Sequence, residues 1–326
     1  MQVSIIVPTY NRGEALRASL ENLLQSDSTG LSAVEVIVVD DGSIIPSSGV
    51  VESIAVRHPF CLRCIRQPNS GPAAARNTGF RASHGEVVIF IDDDVVGPSD
   101  LIRRHVEAHA LYPGAVIFGR CLLAPPTPVT SLFTFLNSCG FDSGENASED
   151  FIRADVPASG HLSVERRMFD TIGGVYSGDL STPAAEEWEF AYRLRQRGIP
   201  LLIATQIVAT HHQSTELRAI CAQQYRHAMG CAEVVRKYPE TLNEAALRNI
   251  LTVNGPVAWS DPPSMVVMKV IKTGLAFGPS RAALLKTVLI GERIGLPEGW
   301  LRGLYRTVLG IQFFAGVRDG LQRYAK

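Results

Sequence analysis

The chain has 326 residues, which accommodates one large domain or two modest ones at roughly 100–200 residues per domain. With 46% hydrophobic and 19% charged residues it is neither disordered, nor collagen-like, nor a small disulfide-stapled fold. A formal net charge of −1 supplies no basic excess for phosphate contacts, so a general nucleic-acid binder is excluded.

The N-terminal third alternates apolar runs with amphipathic stretches, the pattern of β-α-β units around a buried parallel sheet. Val3–Pro8 reads as the first strand. Asn11 is placed to cap the next helix with Glu14 three residues on, and Leu16, Leu20, Leu23 and Leu24 form its apolar stripe. A second strand starts at Val34 and ends in Asp40-Asp41, and Cys61–Gln67 is a third. In the following helix Ser70 is the expected cap, Pro72 the first helical residue and Gly85 the stop. A fourth strand, from Glu86, ends in Asp92, Asp93 and Asp94.

Further on, Ala124–Thr130 is a Pro-rich connection and Cys139–Asp155 a polar loop. A short strand over Ala158–Val164 leads into a helix over Arg166–Ile172 and a Gly173-Gly174 turn. Thr182-Pro183 opens a strong helix that runs through Arg197 and closes at Gly198. Beyond His212 the pattern is helical, interrupted at Pro239, Asn254–Pro263 and Gly278-Pro279.

Charge divides along the chain. Residues 1–215 carry 16 Arg and no Lys against 24 acidic residues, a net of −8, whereas 216–326 carry 15 basic against 8 acidic residues, a net of +7. Two parts are expected, 1–215 and a basic, mostly helical 216–326. The six cysteines are scattered, and the lone C-x-x-C of Cys61 and Cys64 has no second pair to complete a zinc set. The opening MQVSIIVPTY has no basic segment followed by an apolar one, so a reducing cytoplasmic location is expected. No uncharged apolar run approaches the roughly 18 residues that span a bilayer; Met265–Phe277 is interrupted by Lys269 and Lys272.

In open α/β sheets ligands bind at the carboxyl ends of the strands. Here those ends carry Pro8-Thr9-Tyr10, Asp40-Asp41 and Asp92-Asp93-Asp94. Carboxylates gathered at one edge repel one another unless a cation or hydrogen-bond donors compensate, and oxygen ligands favour Mg2+ or Mn2+. A dinucleotide-binding dehydrogenase fails on the first turn, because PTYNRGEA lacks G-x-G-x-x-G; no Walker loop is present either.

VSIIVPTYNR, VVDDGS, NSGPAAARNTGF, FIDDDV, the GG turn and EEWEFAYRLRQRG follow one another in the order and spacing found in family 2 glycosyltransferases, and the chain resembles that family over residues 3–212. The resemblance implies a GT-A fold over 1–215, a mostly parallel sheet flanked by helices; the basic helical region 216–326 lies beyond it and is expected to contact an acceptor or a membrane. It implies an inverting, metal-dependent transferase that moves a sugar from a nucleotide-diphospho-sugar, a UDP-sugar, to a hydroxyl of a carbohydrate or lipid-linked acceptor in cell-envelope polysaccharide or glycolipid synthesis.

By the same resemblance, Pro8, Thr9, Tyr10 and Asp41 lie where the family holds the base, with Asp41 accepting from the uracil N–H, and Arg76 reaches towards the nucleotide. Asp92 and Asp94 occupy the ends of the D-x-D motif; Asp94 is the expected ligand for Mn2+ or Mg2+, with Asp92 or Asp93 as ribose or metal-water partner. His211 stands where many members place a histidine near the metal, although His211 and His212 also read as polar strand-end residues. Glu186 and Glu187 match the Glu-Asp pair that supplies the base, in a first helical turn whose dipole favours the carboxylate. Trp188 stacks on an acceptor sugar or packs the core, and Glu189 and Arg193 form an i,i+4 pair. Three positions depart from the family pattern. Glu187 replaces an aspartate, Pro183-Ala184-Ala185 replaces a Gly-rich lead-in, and His161, at an acceptor contact, replaces an asparagine.

Competing readings are a sugar-nucleotide pyrophosphorylase, disfavoured because no Lys precedes Lys237, and a non-catalytic binding subunit. In the tail, Leu301, Leu304, Tyr305 and Val308 recur at helical spacing with Arg302 and Arg306 on another face, and Phe313 and Phe314 continue the apolar surface. This stripe either lies on an anionic membrane, placing the chain at the inner face of the cell membrane, or packs within the protein.

Overall fold

The computed structural model describes residues 1–57, 60–138, 149–154, 160–174, 176–177, 180, 182 and 185–324. They form two compact units. One comprises Met1–Ala124, Gly140–Asp179 and Glu189–Gln213, the other Pro125–Cys139, Leu180–Trp188 and Ser214–Lys326.

The first unit opens with β1 (Gln2–Thr9), α1 (Gly13–Leu23), β2 (Ala33–Asp40), α2 (Ser48–Ala55), β3 (Cys61–Arg66), α3 (Pro72–Ala82) and β4 (Val87–Ile91). β5 (Val95–Val96), α4 (Leu101–Leu111) and β6 (Val116–Leu123) follow. After α5 (Ser131–Ser138) come β7 (Phe151–Arg153), β8 (His161–Glu165), α6 (Phe169–Ile172), α7 (Ala185–Gln196) and β9 (Leu201–His211). The strands form one sheet in the order β3-β2-β1-β4-β8-β6-β9-β5, with β7 on β9. β3, β2, β1 and β4 run parallel, as do β6 and β9, whereas β8 is antiparallel to both its neighbours. The expected GT-A architecture, a mostly parallel sheet flanked by helices, is therefore what the chain adopts.

The central strands are apolar on both faces because helices cover both. Alternate residues of β1 point to opposite layers: Val3, Ile5 and Val7 join Leu16, Leu20 and Leu23 of α1, while Ile6 joins Ala75 and Phe80 of α3. Several local expectations are corrected. Asn11 does not cap α1; it adopts a left-handed φ of 56° and its Oδ1 accepts from Ile44 N at 2.7 Å. Ser70 does not cap α3, which starts at Pro72 as expected but behind Gly71, at φ 87°. α4, β5, β6 and β9 were not anticipated, and β7 falls in the segment expected to be loop, much of which lies outside the described residues. Pro183, the expected first residue of α7, also lies outside them. Thr182 does not cap that helix through its side chain, because its hydroxyl bonds Tyr324 Oη.

One glycine is required by a close approach. At Gly119 of β6 the register with β9 shifts, and a Cβ would collide with the His161 ring and the Ile207 carbonyl. Gly119→Ala should lower stability by about 1–3 kcal/mol, read as a shift of the urea midpoint at unchanged slope.

The second unit is helical after residue 213: α8 (Leu217–Lys237), α9 (Ala245–Asn254), α10 (Pro263–Leu275), α11 (Gly278–Arg293) and α12 (Glu298–Arg323). α12 packs along α8, where Gly316 and Gly320 leave room for the Tyr225 carbonyl and the Ala232 methyl. Leu301, Tyr305, Val308 and Phe314 are buried, and Tyr305 Oη donates to Glu292 at 2.7 Å. The apolar stripe of α12 thus packs inside the protein. No described helix is long and apolar enough to cross a membrane.

Candidate active site

The acidic run directly follows β4, and the two-residue strand β5 turns the chain back onto the end of β9, pairing Val95 with His211. That pairing is what brings His211 to the aspartates. His211 Nε2 lies 3.0 Å from Asp94 Oδ1, and His212 N donates to the Asp94 carbonyl at 2.8 Å. Asp92 is anchored through its backbone N–H to Gly160 O. Asp92, Asp94 and His211 each offer a ligand atom within 4.8 Å of the others.

Cationic and neutral donors surround these carboxylates. Arg76, itself buried, donates to Asp92 Oδ1 at 2.6 Å and lies over the Tyr176 ring. Arg12 donates to Asp94 Oδ2 at 2.6 Å and to Asp93 Oδ1 at 3.1 Å, while Thr9 Oγ1 donates to Asp93 Oδ2 at 2.6 Å. Burial pushes Asp93 up to about 6 against the pull of Thr9 and Arg12, and it also raises Asp92 despite Arg76. At Asp94 burial acts upward too, but the bonds from His211 and Arg12 outweigh it and hold this carboxyl below its ordinary value. His211 is raised in turn, because Asp94 overrides the opposing effect of burial. The three aspartates therefore take three environments: Asp94 is held ionised between two cations, Asp92 answers Arg76, and Asp93 is turned away towards Thr9.

Two carboxylates and one imidazole converging in a partly buried pocket suit a divalent cation. The imidazole tilts the preference from Mg2+ towards Mn2+. Arg12 occupies part of this cluster and must yield Asp94 to any such ion.

On the nucleotide side, Thr9 is buried, Tyr10 is exposed and Pro8 is buried within β1 beside Val39. Asp41 accepts from Gln67 Nε2 at 2.7 Å, Ser70 N at 3.0 Å and Gly71 N at 2.8 Å. It thereby fixes the loop before α3 and keeps about one of a carboxylate's four acceptor positions for a ligand. The neighbouring Asp40 is fully buried and accepts from Ser43 N and Ser47 N, a loop-fixing role.

In α7, Glu186 is buried and Glu187 half-buried in the first turn. Trp188 packs with Ala185, Cys231, Val234, Val235 and Leu247, which is the core reading of that residue. Glu189 and Arg193 form the expected pair, and Arg193 also donates to the Ile172 and Gly174 carbonyls, tying the glycine turn to the helix.

Residues 4–128 match the family described as "Glycosyl transferase family 2". Over that segment the chain is that of a glycosyl transferase family 2 protein. It is 26% identical over 271 residues to the validoxylamine A glucosyltransferase of Streptomyces hygroscopicus subsp. jinggangensis, covering 74% of this chain and 62% of that one. It is 27% identical over 304 residues to the pre-mycofactocin glycosyltransferase of Mycobacterium tuberculosis, covering 90% of this chain and 57% of that one. This family 2 chain thus spans less than two thirds of the length of both relatives. Among solved structures, the mannosyltransferase PcManGT from Pyrobaculum calidifontis, in complex with GDP-Man and Mn2+, superposes with a TM-score of 0.62 at 18% identity. That match covers 97% of this chain and 87% of the other.

In this family 2 protein His161, expected at an acceptor contact, is fully buried inside a run of histidines. One proton assignment accounts for every bond of the run and leaves only the buried His109 Nδ1 without a partner among the described residues. His161 Nε2–H donates to Arg120 O, His105 Nε2–H donates to His161 Nδ1, Ser163 Oγ–H donates to His105 Nδ1, and His109 Nε2–H donates to Ser163 Oγ. Every imidazole is then neutral. Burial pushes His109 and His161 down to about 4 and His105 further below its ordinary value. The unfolded chain therefore binds more protons than the folded one between pH about 6.5 and about 4, and the stabilisation, complete above that window, is lost as pH falls through it. The urea midpoint should drop from pH 7 to pH 5, and less so in His161→Asn; equal pH slopes would remove the run as the cause.

Two groups escaped the sequence reading. Arg12 lies in the quoted PTYNR segment, yet nothing in its spacing says that it reaches the aspartates. His105 and His109 sit four apart on one helix face, a readable signal, but their partners come from β8.

Proposed function

We infer that this chain transfers a sugar from a nucleotide-diphospho-sugar, a UDP-sugar, to a hydroxyl acceptor of carbohydrate or lipid-linked type, with inversion at the anomeric carbon. The observation that carries this reading is the convergence of Asp92, Asp94 and His211 at the carboxyl end of β4, ringed by Thr9, Arg12 and Arg76. The family match supports it, as do the relatives named for glucosyl and glycosyl transfer and the Pyrobaculum enzyme holding GDP-Man and Mn2+.

A divalent cation held by Asp92, Asp94 and His211, Mn2+ or Mg2+, supplies positive charge beside the leaving diphosphate. Asp41 accepts from the base N–H through its remaining acceptor position. Arg76 keeps Asp92 in place, and Thr9 and Arg12 hold Asp93. Glu187 takes the proton from the acceptor hydroxyl. That oxygen bonds to the anomeric carbon as the bond to the diphosphate oxygen breaks, in one displacement. The basic region 216–326 is proposed to serve the acceptor side, in cell-envelope polysaccharide or glycolipid synthesis.

The test is a thermal-shift screen of UDP- and GDP-sugars with and without Mn2+, followed by assay of nucleoside diphosphate released with candidate acceptors. A donor at 100 times its Kd should add about 2.7 kcal/mol of stability, and only when Mn2+ is present. Mn2+-dependent donor binding with no release alongside any acceptor would leave a binding subunit in place of a transferase.

A further inference from the structure

Helix α10 is built inside out. Its two lysines face the protein: Lys269, only 2% exposed, pairs with Asp261 Oδ2 at 2.7 Å and donates to Pro256 O at 3.0 Å. Lys272 donates to Asn254 Oδ1 at 3.1 Å and lies over the Phe314 ring. Val267, Val270 and Ile271, spaced as one helix face, are 58%, 60% and 57% exposed. A helix whose outer face met only water would gain by the opposite arrangement, since burying an ammonium costs free energy and exposing aliphatic side chains forgoes their burial. Single exposed apolar residues are ordinary, but a whole face exchanged for one buried and one half-buried lysine is not.

The face does not stand alone. Trp259, in the loop before α10, is fully exposed, as is most of Phe277 at its far end. Trp300, in the first turn of α12, which packs against α10, is 72% exposed. Tryptophan ends of this kind sit at the headgroup level of a bilayer, where an apolar ring and a wet N–H are both accommodated. The charge nearby is one-sided. Residues 264–326 hold ten Lys or Arg against Glu292, Glu298 and Asp319; Lys269 is taken up by Asp261, and Lys286, Arg293, Arg302 and Arg306 are exposed. That excess repels a second copy of the same face and attracts anionic headgroups. No described helix is both long and apolar enough to cross, so the contact considered is interfacial.

We propose that the outer face of α10, flanked by Trp259 and Trp300, docks the second unit on an anionic lipid surface. This surface is distinct from the α12 stripe, which is buried. The experiment is co-sedimentation of the full chain with phosphatidylcholine vesicles, with and without phosphatidylglycerol, at low and high salt. The wild type should sediment with the phosphatidylglycerol vesicles, more weakly at high salt. The double variant Val270→Asp/Ile271→Asp should lose about tenfold or more in partitioning. Trp259→Ala, at a side chain that touches little of the fold, should lose in the same direction, and Val56→Asp, an exposed valine of the first unit, should lose nothing. A wild type that ignores phosphatidylglycerol vesicles, or variants that sediment as well as it does, overturns the proposal. So does dimerisation by light scattering that the double variant abolishes while no vesicle binding occurs, which would make a second copy the occupant.

Discussion

Asp94→Asn should leave a folded protein whose nucleotide-sugar binding no longer responds to Mn2+. The carboxylate of Asp94 lies between His211 Nε2 at 3.0 Å and Arg12 Nη1 at 2.6 Å, and the bonds from both hold it below its ordinary value. Asparagine keeps the shape and one carbonyl oxygen but removes the charge that makes the site attractive to a cation. What remains is Asp92, already answered by Arg76, and a histidine that has lost its bonded carboxylate and keeps only the more distant charge of Asp92. Loss of a residue that merely orients a ligand typically costs 10–100-fold in metal affinity, so losing a ligand should cost about 100-fold or more. The fold should hold, because the Asp94 backbone carbonyl still accepts from His212 N and β5 still pairs with β9. Titration calorimetry with Mn2+, alone and with donor, is the measurement. Unchanged donor affinity in the variant, or in wild type with excess EDTA, would sink the metal assignment.

Glu187→Gln should abolish transfer yet keep the donor. A general base typically contributes about 100- to 10,000-fold in rate, and the donor binding proposed for Asp41, Arg76 and the acidic cluster uses none of its atoms. Glu187 lies in the first turn of α7, where the helix dipole favours the carboxylate that a base must be before it accepts a proton. Its charge is felt locally: together with burial, the larger cause, it pushes the Cys231 thiol up to about 12. Glu186, buried in the same turn, is the alternative base, so Glu186→Gln belongs in the same kinetic series. A rate drop in Glu187→Gln at unchanged donor Kd, with substantial activity in Glu187→Asp, supports the assignment. Near-normal turnover in Glu187→Gln moves the role to Glu186 or elsewhere.

The apolar runs ending in Asp40-Asp41 and Asp92-Asp93-Asp94 were legible as β-strands because both faces of those strands are buried, so they carry no polar alternation that could disguise them. The ordered motifs from VSIIVPTYNR to EEWEF were enough to place the family and the GT-A architecture, since each motif sits at a strand end or helix start whose local chemistry is self-contained. β6 and β9 were missed because Gly119, Arg120 and Gln206 interrupt their patterns at a shift in register, a feature that exists only when the two strands meet. Asn11 and Ser70 looked like caps, but other partners hold the capping atoms: Asn11 Oδ1 accepts from Ile44 N, and Ser70 Oγ donates to Pro68 O in its own loop. The union of His211 with Asp94, the engagement of Arg12 and the burial of His161 rest on contacts between segments roughly 50 to 120 residues apart, which a window of about 11–18 residues cannot register. The tail shows the same division. Helical spacing correctly found an apolar stripe on α12 and lysines on α10, but which of those faces meets water is decided by packing: α12 turns its stripe onto α8, and α10 turns its lysines towards Asp261 and Asn254.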